Sequence, residues 1–191
     1  MTASPAPVRI TAISGSIRNG SHCTAVLRSL DPLLPAQVKM EIFPLNDIPL
    51  YNADLEGDAL PESVARMKAS IAEADGLVLC SPEYNYGIPG VLKNAIDWAS
   101  RPGFASPLKG KPVLVMTASP GTAGGVRAQA QIREALMATL ARPLVRQHIA
   151  IPGVAAKLQE GRLADAPTLQ VIQEGLDDFL REIRWLRNAH S

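Results

Sequence analysis

Neither sign of charge is in excess in this sequence: 19 Lys and Arg stand against 18 Asp and Glu, for a formal net charge of +1. No run of Lys or Arg gathers the positive charge into a patch, which excludes the electrostatic footprint of a nucleic-acid binder or of a protein held on an anionic membrane. Cysteine is confined to Cys23 and Cys80, far apart and in no metal-ligand spacing. That excludes a disulfide framework and fits a reducing compartment. His22, His148 and His190 are scattered, so no metal ligand set or general base is expected from them. No apolar stretch reaches the length of a membrane span. Met1 to Pro7 lacks a basic n-region and an apolar h-region, and reads as a flexible lead-in rather than a signal peptide. Internal repeats, low-complexity tracts and long linkers are missing too. The expectation is a cytoplasmic protein with one domain over residues 1–191.

What is present is a globular composition, 47% hydrophobic over 191 residues, enough to bury a sizeable core. Its apolar residues follow two alternating periods. Val8 to Ser14, Gly76 to Ser81 and Lys111 to Ser119 are short apolar runs ending in small or turn residues, the pattern of buried parallel strands. Val38 to Phe43 is shorter and alternates, as a strand near a sheet edge does. Between these runs lie helical stripes: Cys23, Val26, Leu27 and Leu30; then Val64, Met67 and Ile71, with Pro61 expected in the first turn. Others follow over Val91 to Arg101, over Ile132, Leu136 and Leu140, and from Ile172 to Leu186. A fifth strand is expected between Pro143 and Ile151, and loops over 44–58 and 151–168. Strands alternating with helices imply βαβ units and a parallel sheet covered on both faces, a three-layer doubly wound α/β fold.

In such a sheet, ligands bind beyond the carboxyl ends of the strands where strand order reverses. The segments after the first, third and fourth strands are therefore the candidates. Gly15-Ser16-Ile17-Arg18-Asn19-Gly20-Ser21 offers small residues, two hydroxyls and a guanidinium just before a helix start. Backbone N–H groups and the positive helix end favour an anion there, and a charge-assisted bond from Arg18 is worth about 1.5–3 kcal/mol. The loop is not a dinucleotide fingerprint, since serine and isoleucine stand at the second and third glycine places, and it lacks the Gly-Lys-Ser/Thr ending of a Walker loop. Ser81 to Gly90 (SPEYNYGIPG) is stiffened by two prolines and two glycines, and places Tyr84, Asn85 and Tyr86 at the crevice. Such a rigid backbone suits a planar, hydrogen-bonding ring; a bare proline-stiffened turn with Glu83 as a solvated charge is the plainer reading. In Ser119 to Arg127 (SPGTAGGVR), the glycines permit close approach to a ligand, and Gly124 and Gly125 ease the start of the next helix. Cys80, Trp98, Phe179 and Trp185 read as packing residues.

Together, GSIRNGS at 15–21, SPEYNYGIPGVLKNAIDWASR at 81–101 and SPGTAGGVRAQAQIREAL at 119–136 resemble the NADPH-dependent FMN reductases, the flavodoxin-like group that includes quinone, chromate and azo-dye reductases. The resemblance implies a five-stranded parallel sheet in the order 2-1-3-4-5. It also implies FMN as cofactor, with NADPH or NADH as hydride donor. Ser16, Arg18 and Ser21, with the backbone of His22 and Cys23, would hold the FMN phosphate. Family members often carry asparagine where this chain has Cys23. Pro82, Glu83, Tyr84, Asn85 and Tyr86 would line the ribityl chain and ring, with Ser119 and Gly121 facing the ring. A homodimer or homotetramer is implied through the helix carrying Asp97, Trp98 and Arg101. The expected activity is ping-pong transfer from NAD(P)H to a small-molecule acceptor, with no catalytic side chain and Glu83 acting through its backbone. A flavodoxin-type electron carrier and a flavin-dependent sensor are the alternatives. A signalling receiver domain is excluded, because Ser-Gly-Ser and Ser-Pro-Glu stand where it needs aspartates.

Overall fold

The buried apolar runs become the parallel strands of one sheet in the computed structural model, which describes residues 7–189. Strands β1 (Val8–Ser14), β2 (Val38–Phe43), β3 (Gly76–Ser81) and β4 (Pro112–Ala118) lie in the order β2-β1-β3-β4. Pairing is parallel throughout, with Val8 opposite Val38, Ile10 opposite Gly76 and Leu77 opposite Val113. The crossovers are α1 (His22–Arg28), α2 (Glu62–Glu73), α3 (Gly90–Ala99) and α4 (Val126–Ala138). Pro61 caps α2 instead of entering its first turn.

The fifth strand arrives in two pieces, β5 (Arg142–Pro143) and β6 (Ile149–Ile151), both parallel to β4. Pro143 has no N–H to give the ladder. The next carbonyl, of Leu144, accepts from Arg133 Nη1 at 2.8 Å. Val145 turns out to solvent, and Arg146 turns in to pair with Asp178 at 3.1 Å. Pairing resumes at Ile149, whose carbonyl accepts from the buried Gln129 amide, which also reaches Thr117 Oγ1. With that interruption, the order is the expected 2-1-3-4-5.

The period-two alternation splits the core by sheet face. Ile10 and Ala12, Val78 and Cys80, and Leu114 and Met116 pack against α1 and the long C-terminal helix, where Phe179 is fully buried. Leu77, Leu79, Val113 and Val115 pack against α2, α3 and α4. Each large side chain buried in this way contributes about 1.5–3 kcal/mol.

The stretch expected as a loop over 151–168 holds the short helix α5 (Val154–Lys157) and a hairpin of β7 (Leu158–Gln159) and β8 (Arg162–Leu163). The hairpin docks on α1 where Leu163 N–H donates to Ser29 Oγ at 2.8 Å. Helix α6 (Ala166–Ala189) follows. Trp185 on α6 is not a packing residue as expected: it is 58% exposed, with the Arg142 guanidinium over its ring. Among the described residues, no helix is long and apolar enough to cross a membrane.

Candidate active site

The carboxyl ends of β1, β3 and β4 bring the three candidate loops together, because a parallel sheet aligns all its strand ends. The first two loops meet at Gly15. A Cβ there would lie 2.5 Å from Ser81 Oγ, so only glycine allows this approach. Ser14 Oγ, at the end of β1, organises the first loop from beneath: it accepts from Ser16 N–H at 3.3 Å, donates to the Ser16 carbonyl at 3.1 Å and meets Ser21 Oγ at 3.3 Å. Ser21 caps α1, accepting from Thr24 N–H at 3.2 Å. The Ser21 carbonyl takes Ala25 N–H, which leaves the His22 and Cys23 N–H groups at the helix start without a partner among the described residues. Arg18 is exposed and folds its guanidinium back to the Gly20 carbonyl. Hydroxyls, orphan N–H groups and a guanidinium thus converge on one loop, a donor set that fits a phosphate monoester.

The second loop is a tight hairpin rather than simply a proline-stiffened turn. Tyr84 and Gly87 exchange both backbone hydrogen bonds, at 3.1 and 2.9 Å. Asn85 and Tyr86 between them have φ of 51° and 65°. Both central residues are left-handed, as a two-residue type I′ turn requires. Asparagine tolerates that conformation, whereas for a bulky tyrosine it is an outlier held by surrounding contacts. Tyr84 and Tyr86 are consequently 52% and 68% exposed at the mouth of the crevice.

Glu83 is not a solvated charge, nor is its side chain idle: it is only 11% exposed. Its Oε2 accepts from the N–H groups of Arg127 (2.8 Å) and Ala128 (3.3 Å) at the start of α4, and its Oε1 pairs with Arg127 Nη1 at 3.3 Å. The Arg127 guanidinium in turn lies 4.4 Å over the Tyr86 ring. Gln131, one turn further along α4, accepts from Ile88 N–H at 3.1 Å. The third loop passes close by. Gly125 has φ of 79°, and a Cβ on it would press within 3.1 Å of Thr117 and 3.4 Å of Glu83. Ser119 Oγ accepts from Gly121 N–H at 3.1 Å, while the Ser119 and Gly121 carbonyls accept from Val154 and Gly153.

The profile of the NADPH-dependent FMN reductase family matches residues 8–156, the whole of this sheet and all three loops. The chain belongs to that family. It is 38% identical over 181 residues to an NAD(P)H-dependent FMN reductase of Pseudomonas aeruginosa, covering 94% of this chain and 97% of that one. To a quinone reductase of Escherichia coli K12 it is 44% identical over 133 residues, 68% of this chain and 70% of that one. A solved flavoenzyme, the NAD(P)H:(acceptor) oxidoreductase FerB of Paracoccus denitrificans, superposes with a TM-score of 0.85 at 32% identity, over 93% of this chain and 97% of that one. As an FMN reductase family member, the chain is an oxidoreductase with FMN and NAD(P)H as its cofactors.

Among these family motifs, Ser16, Arg18, Ser21, His22 and Cys23 share the first loop and its helix start; Pro82 to Tyr86 share the hairpin; Ser119 and Gly121 share the third loop. The Cys23 side chain points away from the loop. It is 2% exposed and faces the Ala118 carbonyl and the Cys80 thiol, so only its backbone faces the site. The hydrogen bond with Cys23, and burial after it, push the Cys80 thiol well above the usual range and keep it protonated.

Trp98 is likewise unavailable to a partner subunit. It is fully buried, donates Nε1–H to the Pro49 carbonyl at 2.9 Å and meets Tyr51 edge-on. Arg101 is taken up by Glu56, which also accepts from Tyr51 Oη at 2.6 Å. That bond from Tyr51, helped by Arg101, holds the Glu56 carboxyl below its ordinary range. His22 is half-buried beside the first loop and His148 is exposed, whereas His190 and the lead-in lie outside the described residues, apart from Pro7. Arg127 and Gln131 are the residues that sequence reading passed over. Their signal is spacing: four apart on α4, they face one side of the helix together.

Proposed function

We propose that this chain catalyses oxidation of NAD(P)H with bound FMN and passes the electrons to a small acceptor in a second half-reaction at the same site, a ping-pong scheme. Quinones are the acceptor class favoured by the relatives' names; azo dyes, chromate and free flavin are the further candidates. The observation that carries this reading is the convergence of a phosphate-type donor loop and a rigid, tyrosine-bearing hairpin at the ends of adjacent strands.

FMN supplies the redox chemistry, so the chain needs to bind, orient and desolvate. Ser16, Ser21 and Arg18 hold the phosphate with the His22 and Cys23 N–H groups. The backbone of Pro82, Glu83, Tyr84, Asn85 and Tyr86 lines the ribityl chain and ring. Ser119 and Gly121 approach the ring from the third loop. Fixed N–H dipoles from the hairpin favour negative charge on the ring edge without reorganising. No side chain is assigned a proton transfer; alignment of donor and ring is the principal contribution.

We further propose one domain over the whole chain, residence in the cytoplasm, where the two free thiols stay reduced, and assembly as at least a homodimer. With Trp98 buried, the support for assembly comes from the groove between α3 and α4. There Phe104 is 80% and Leu140 45% exposed.

The purified protein tests the reading. It should carry flavin absorption at roughly 375 and 450 nm that NADPH bleaches and a quinone restores. Parallel lines in double-reciprocal plots against both substrates are expected. A protein that binds FMN yet oxidises no NAD(P)H without a protein partner would instead be an electron carrier.

A further inference from the structure

We propose that Glu83 is a positioning residue whose carboxylate, acting through Arg127 and the start of α4, clasps the 82–88 hairpin to the 119–125 loop, so that both sides of the ring pocket are set as one rigid body. This rests on the proposed placement of FMN.

Contacts from several elements converge on the clasp. Two N–H groups of α4 and the Arg127 guanidinium all donate to the one carboxylate, which is 11% exposed. Arg127 then covers the Tyr86 ring, at the hairpin position where a left-handed backbone needs outside support. Gln131 adds a second tether to the hairpin, accepting from Ile88 N–H and donating to the Tyr86 carbonyl at 3.4 Å. Finally, Gly125, where the third loop enters α4, passes so near Glu83 that a Cβ on it would lie 3.4 Å from the Glu83 Cβ. A carboxylate at a helix start is favourable by itself, but a bare helix cap does not need an arginine stacked on a strained tyrosine. The pair also has an electrostatic consequence. Glu83 and Arg127 cancel one another beside the hairpin, so removing either partner leaves the other's charge to act on the ring.

The test uses Glu83→Gln, Arg127→Gln and the double variant, with Glu83→Ala as the stronger lesion. Amide exchange in the apoprotein at residues 84–88 and 126–128 should quicken in every variant, and the double variant should be no worse than the worse single one. Glu83→Ala should weaken FMN and riboflavin equally, by about tenfold, because the ring side is loosened and the phosphate side is not. Glu83→Gln should recover part of that loss, since it keeps an acceptor for the two N–H groups. The reduction potential of bound FMN should rise in Glu83→Gln, fall in Arg127→Gln and return towards wild type in the double variant.

Effects that multiply independently in the double variant, or potentials that move in the same direction, would overturn the clasp while leaving the FMN site standing. If wild-type apoprotein took up no FMN, the placement of the ring would fall and the proposal with it. Loss of reduction by NADPH in Glu83→Gln, with affinity and potential unchanged, would make Glu83 a catalytic residue and overturn the positioning role.

Discussion

Arg18 can be judged against the donors around it. The loop already supplies hydroxyls from Ser16 and Ser21 and two helix-start N–H groups, and the guanidinium adds the only full charge among them. Replacing Arg18 with Ala should therefore weaken FMN by about 2–4 kcal/mol and leave riboflavin, which has no phosphate, nearly unaffected. Titration of both ligands into wild-type and variant apoprotein measures the difference. Equal losses would remove the phosphate from this loop. The makeup of this loop was legible from the chain alone: small residues, hydroxyls and an arginine stand just before a helix at a strand end, a candidate anion site. Glu83 and Cys23 were not. Whether a carboxylate faces water or a helix start depends on where α4 begins in space, and whether a thiol faces loop or core depends on rotation of α1. Neither is written in local sequence.

Among the elements, α3 shows how a helix after the hairpin is committed. Its stripe of Leu92, Ala95, Ile96 and Ala99 faces the sheet as its period requires. Asn94 and Trp98, four apart, form a second face that fastens the loop after β2. Asn94 accepts from Tyr51 N–H at 2.7 Å and donates to the Pro49 carbonyl at 2.8 Å, where the Trp98 indole also arrives. Asn94→Ala should cost about 1–3 kcal/mol in urea unfolding, since it leaves a part-buried N–H without its acceptor, and should quicken exchange at Tyr51. Unchanged exchange there would mean that the loop is held by the Tyr51–Trp98 ring contact alone. The apolar periods showed that this helix exists and which side it buries. They could not show that Trp98 is spent within the chain, because an indole with a buried N–H partner and one awaiting another subunit leave the same mark in sequence. The broken fifth strand was hidden for a similar reason. Its interruption depends on Arg133, Arg146 and Asp178, which come from three different segments.

Taken as a whole, the molecule is closed at the end opposite the site by Asp75. Arg187 of α6 grips its carboxylate with Nε at 2.8 Å and Nη2 at 2.6 Å, and Arg9 N–H adds a third bond at 2.8 Å. Burial opposes the charge, but the Arg187 hydrogen bonds, then Arg9, outweigh it and hold the carboxyl below its ordinary range. A carboxyl with a lowered folded pKa gives stability that is present above its unfolded value of about 3.9 and is lost as pH falls through the folded value. Urea unfolding should accordingly show Asp75→Asn weaker than wild type by about 1–2 kcal/mol at pH 7, with the gap closing towards pH 3. A gap independent of pH would assign the effect to packing. Light scattering at micromolar concentration should give at least a dimer, and Phe104→Ser should shift it towards monomer; a fully active wild-type monomer would contradict this.

The split in the fifth strand also bears on how the molecule behaves in a crowded solution. An exposed sheet margin is a template on which a stray chain can add a strand and start a fibre. Here that margin offers β5, two residues long and ending in a proline, then a kink carrying Arg146, then three residues of β6. No foreign strand finds enough consecutive backbone partners along it to register. The other margin, β2, carries the exposed charged side chains of Lys39 and Glu41, and charge on an edge strand disfavours burying it under an added strand. Both margins of this sheet are thus poor seeds for aggregation.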